Sequence, residues 1–175
     1  GEWSVRVVNS DDQVGELTNA FAVVQMFANE PFEPIPSNWS ASANIGSSYW
    51  TVTSTASHTP SNSYTASGPT TRNTDNLLSP KIMIPTSADR IRVHFWHKYV
   101  TEIYDGCVLE ISPDNGTTWY QVGAPGSGTS FVRGGYSSTI LGRIVSQNRA
   151  ELVGSPAWTG NSGGNFSEVV IALNT

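Results

Sequence analysis

Ile91-Arg92-Val93-His94-Phe95-Trp96-His97, Cys107-Val108-Leu109-Glu110-Ile111 and the Asn115-Gly116 pair that follows them decide the fold class. Ile91, Val93 and Phe95 alternate with Arg92 and His94, and Cys107, Leu109 and Ile111 alternate with Val108 and Glu110. Successive side chains of a strand point to opposite faces, so a period of two describes half-buried strands. Asn-Gly suits a tight hairpin turn, whose two central residues both take positive φ. This reading puts Phe95, Leu109, Ile111 and Trp119 together on one buried face.

The same alternation recurs at both ends, in Trp3, Val5 and Val7 and in Val169, Ile171 and Leu173. No long stretch free of Gly and Pro has the i, i+3, i+4, i+7 apolar spacing of an amphipathic helix. An all-β protein is expected. Pro31, Pro34 and Pro36 mark a boundary between Gln25 and Pro36. The Ser-, Thr- and Asn-rich stretch from Ser54 to Asn76 reads as a surface excursion, since a buried loop would strand its backbone polar groups.

The 175 residues suffice for one well-filled β-sandwich and a fragment of a second domain. Only 13% are charged, about half the usual share, as in many extracellular β-proteins. The net charge of -5 and the lack of a Lys/Arg cluster set nucleic acid and anionic membranes aside. No apolar run is long enough to insert in a membrane. A single cysteine, Cys107, excludes an internal disulfide and reads as a small buried strand residue. The first residue, Gly1, is not Met, so a processed or excised piece is expected.

Trp3 to Val24 resembles the last two strands of an IPT/TIG immunoglobulin-like domain, at Val7, Asn9, Asp11, Gln13, Leu17, Asn19, Phe21 and Val23. From about Phe27 onward the chain resembles the MAM-like jelly-roll modules of secreted bacterial proteins of the immune-inhibitor-A and cleaved-adhesin types. That likeness rests on Phe32-Glu33 and Trp39, Trp50-Thr51-Val52, Asn76 to Pro80, Phe95 to Tyr99, Glu102 with Tyr104-Asp105-Gly106, Leu109 to Ser112, and Ala157-Trp158-Thr159-Gly160. Together the resemblances imply a hairpin in residues 1–25 and a jelly-roll β-sandwich in residues 26–175 that lacks its last strands. They also imply a secreted or cell-surface location in a bacterium.

Ser112, Asp114, Gly116, Thr118 and Trp119 spell S-x-D-x-G-x-T-W, the Asp-box hairpin of sialidases and related propellers. A propeller repeats the box, whereas it occurs once here, so a self-bracing turn is expected. Enzyme motifs are missing: there is no G-x-S-x-G and no H-E-x-x-H, and His94 and His97 face opposite sides of one strand. Non-enzymatic work is therefore expected.

Calcium is the expected cofactor, because loop carboxylates and amides at one end of a sandwich suit a hard cation. The resemblance points first to Glu33, whose Phe-Glu entrance often helps hold a structural metal in those families. Glu102 and Asp105, with Asn73 and Asp75, complete the candidate set. Tyr49, Trp96, Tyr136 and Trp158 are candidate ligand-binding aromatics, able to stack on a sugar ring.

Trp3, Val5, Val7, Phe21 and Val23 form an apolar hairpin that asks for a covering partner. The expected function is a structural or adhesive subunit that self-assembles through open sheet edges, extending into a filament if no ring closes. Its partners would be other copies of the chain or neighbouring domains of the same polypeptide. The rival is a carbohydrate-binding or adhesion module excised from a larger secreted enzyme or surface protein, with a glycan as partner.

Overall fold

The computed structural model describes residues 4–8, 14–18, 26, 28–33, 38–59, 61–68, 71, 73–142 and 152–173. Among them the chain is all-β, with thirteen strands and no helix. In order these are β1 (Ser4–Val8), β2 (Val14–Thr18), β3 (Ser40–Ile45), β4 (Trp50–Thr53), β5 (Ser63–Ala66), β6 (Thr74–Leu78) and β7 (Ile91–His97). Then come β8 (Glu110–Ile111), β9 (Tyr120–Gln121), β10 (Thr129–Arg133), β11 (Ser138–Thr139), β12 (Pro156–Ala157) and β13 (Ser167–Leu173). One sheet has three strands in the order β10-β13-β7; the others are the pairs β1-β2, β3-β6, β4-β5, β8-β9 and β11-β12. All pairings are antiparallel.

The central strand is β13, whose apolar Val-Val-Ile-Ala-Leu run suits burial on both faces. Val169 and Ile171 are sealed at 0% and 1% exposure. β7 runs beside it in unbroken register from Ser167 opposite His97 to Leu173 opposite Ile91. On the other side Phe131 faces Ile171 while Arg133 faces Val170, so β10 bulges at Val132. Just past the bulge Gly134 has φ 68°, and a Cβ there would stand 2.2 Å from the Glu168 carbonyl oxygen. Only glycine fits that approach.

The core gathers on the Phe95 side of this sheet. Val122, Trp158, Val169 and Ile171 are its buried members, with Phe95, Tyr99, Leu109, Ile111, Phe131, Tyr136 and Leu173 packed around them. Trp158 is the hub: His97, Tyr136, Phe131 and Phe95 meet its ring edge-on, with centroids 4.5, 4.7, 5.8 and 6.0 Å away. Its indole N–H donates to the carbonyls of Gly134 and Gly135 at 3.0 and 3.1 Å, so the buried ring strands no polar atom.

Four expectations change. Trp119 is 42% exposed, because its indole N–H donates to the Gly116 carbonyl and holds the ring over its own turn instead of the core. The polar excursion contains β5 and the start of β6, which pair with β4 and β3. Cys107 is exposed, in an isolated bridge opposite Trp158. The hairpin's second strand is Val14–Thr18, with Val5 opposite Leu17 and Val7 opposite Gly15. Trp3, Phe21 and Val23 lie outside the described residues.

The expected tight two-residue turn is not what joins β8 to β9: the ladder ends at Ile111 opposite Tyr120, and residues 112–119 form a longer loop with Asn115 at φ 66° and Gly116 at φ 88° near its middle. Asp114 Oδ1 accepts from the Ser112 hydroxyl and from the Thr118 N–H at 2.9 and 2.7 Å. The Thr118 bonds, followed by those from Ser112 and Thr117, hold its carboxyl down to about 2, below the ordinary 3.8.

Candidate functional site

The five calcium candidates occupy three separate stretches of the chain, with Asp75 inside β6. Glu33 braces the β4-β5 loop, accepting from the Ser61 N–H and the Asn62 amide, both at 2.9 Å. Asn73 and Asp75 hold the loop before β4 by accepting from the N–H groups of Ser47 and Tyr49 at 3.1 and 2.6 Å. Glu102 and Asp105 sit in a turn closed by the Asp105 N–H donating to the Glu102 carbonyl. Among the described residues no three His, Cys, Asp or Glu side chains stand close enough to hold a metal ion. Asp75 Oδ1 is buried and accepts no hydrogen bond from the described residues.

The four ligand-binding candidates also separate. Trp158 is buried in the core at 4% exposure and offers no free face. Tyr136 is half-buried against it; its hydroxyl accepts from the Leu109 N–H at 3.0 Å and donates to the Leu109 carbonyl at 3.2 Å. Tyr49 is half-buried beside Asp75, whereas Trp96 is 41% exposed on the outer face of β7.

Around Trp96 a continuous surface strip forms that no motif announces. His58, from the β4-β5 loop, stacks on Trp96 with centroids 3.9 Å apart and planes 9° from parallel. Phe166 meets His58 edge-on at 6.0 Å, and the Lys98 Nζ stands 5.3 Å over the Phe166 ring. Beside them the Glu168 carboxylate takes His94 Nε2 at 2.9 Å on one oxygen and the Arg133 guanidinium on the other. Cross-strand pairing explains part of this, since β13 and β7 place Glu168 opposite Trp96 and Val170 opposite His94. His58 is the residue that sequence reasoning misses, for nothing local joins it to β7.

His97 points the other way, onto Trp158, and burial pushes its imidazole below the ordinary 6.5. It lies among rings, with Phe95 at 5.6 Å and Tyr99 at 5.2 Å.

The strip offers flat aromatic surface flanked by the Glu168 carboxylate with its His94 and Arg133 partners and by the Lys98 ammonium. Comparison of the chain with protein-family profiles, with curated proteins and with solved structures finds no match.

Proposed function

We propose that the chain is a non-catalytic extracellular structural or adhesive subunit that assembles with copies of itself through open sheet edges. In this reading a jelly-roll-like sandwich is preceded by an IPT/TIG-like hairpin, and β1-β2 of one copy adds to an open edge of the next. One observation carries it: among the described strands β13 alone has a neighbour on both sides. Unpaired edges template pairing with another chain.

Exposed apolar side chains support the same reading: Met83, Val100, Val132 and Ile103 stand 85, 74, 58 and 51% open.

Analytical ultracentrifugation of the full chain and of a variant carrying Val5→Lys and Val7→Lys tests the proposal. The parent should form concentration-dependent polymers and the variant should not. A strictly monomeric parent, or a variant that polymerises as the parent does, overturns it. Monomers that bind a glycan and lose it on Trp96→Ala would support the carbohydrate-binding reading, which rests on the exposed Trp96 ring.

A further inference from the structure

We infer that Asn115 is a latent deamidation site, kept in its amide form by the hydrogen bonds of its own hairpin. The sequence contains one Asn-Gly pair, and it stands exposed at the tip of β8-β9. Glycine offers no side chain to hinder attack by its nitrogen, so this dipeptide is chemically the most vulnerable amide in the chain.

The reaction needs only water. The Gly116 nitrogen loses its proton and attacks Asn115 Cγ, forming a C–N bond, while the side-chain nitrogen leaves as ammonia. Water then opens the five-membered imide at either carbonyl, leaving aspartate or isoaspartate at that position. Nothing is oxidised or reduced.

Two features oppose the first step. The Gly116 N–H is committed to Ser112 Oγ at 2.7 Å, which holds the proton in place and the nitrogen turned toward Ser112. Ser112 is fixed in turn, because its hydroxyl donates to Asp114 Oδ1, the same oxygen that accepts from the Thr118 N–H. The Asp-box hydrogen bonds thus act on the chemistry of Asn115 as well as on the shape of the turn. Conversion would add a negative charge beside Asp114, and the isoaspartate product would lengthen the backbone within the turn.

Peptide mass spectrometry on the full chain, incubated at neutral pH, measures the amide-to-acid conversion at Asn115. Native protein should convert at least roughly tenfold more slowly than the chain in urea, and Ser112→Ala should recover about tenfold, the factor one hydrogen bond supplies. Ser112→Thr, which keeps the hydroxyl, should stay near the native rate. Equal rates for the native and urea-unfolded chain overturn the inference. So does a folded Ser112→Ala protein that converts at the parent's rate; if that variant does not fold, the urea comparison and Ser112→Thr decide.

Discussion

The imidazole of His58 lies flat on the indole of Trp96, 3.9 Å from centroid to centroid. The two residues belong to different sheets: His58 sits in the loop between β4 and β5, and Trp96 is in β7 of the three-stranded sheet. Glu33 grips the same loop through Ser61 and Asn62, so the loop is held from two directions. A stacked pair contributes about 0.5 to 1.5 kcal/mol beyond its burial. His58→Ala should therefore cost under about 1.5 kcal/mol in global stability. Its larger effect should be local, as faster hydrogen exchange at the amides of β4 and β5. Exchange unchanged from the parent would show that the stack does not anchor the hairpin.

Trp158 should matter far more than Trp119, although both are large aromatics near the end of a turn. Trp158→Ala removes the ring on which four aromatic neighbours converge and should cost about 3 to 5 kcal/mol in urea denaturation. Trp158→Phe keeps much of the packing but leaves the Gly134 and Gly135 carbonyls without their donor, at about 1 to 3 kcal/mol. Trp119→Ala, on an exposed ring over its own turn, should cost less than about 1 kcal/mol. Similar losses at the two tryptophans would refute the core assignment.

That contrast also marks how far the sequence could be read. Alternation located β7 and β13, and Asn115-Gly116 located the turn, because these signals are local and follow from strand geometry and backbone sterics. The roles of the two tryptophans were not legible, since a loop Trp and a core Trp have the same chemistry until long-range partners are placed. The strip around Trp96 was hidden for the same reason. His58, Phe166 and Glu168 meet it from other strands and loops, and only Trp96 itself carried a signal. β2 lies inside the stretch read as a two-strand hairpin, where Leu17 was the position within it that carried the likeness.

Calcium removal offers a test of the acidic turns. A single site bridging Glu33 and Glu102 or Asp105 would have to draw separate turns together, whereas each turn is already closed by its own hydrogen bonds. A cation bound only to the native state raises its stability by mass action. A calcium ion shared by these turns should therefore show as a fall in melting temperature in EDTA, reversed by added calcium. An unchanged melting temperature would leave the turns to their own hydrogen bonds.

The pH dependence of stability should carry the mark of His97. Its imidazole faces Phe95, Tyr99 and Trp158, and burial holds its pKa below the ordinary 6.5 that the unfolded chain regains. As pH falls through 6.5, the unfolded chain takes up a proton while the native imidazole stays neutral. The state that binds more protons gains, so native stability declines from there down to the depressed native pKa and then levels off. Above 6.5 both states are neutral and His97 adds no slope. Asp114 works in a separate window: its contribution is complete above 3.8 and disappears as pH falls through about 2. His97→Phe should therefore flatten the decline that sets in as pH falls through 6.5 relative to the parent, followed by reversible urea unfolding at each pH. Parallel declines in the two proteins would place the titrating group elsewhere.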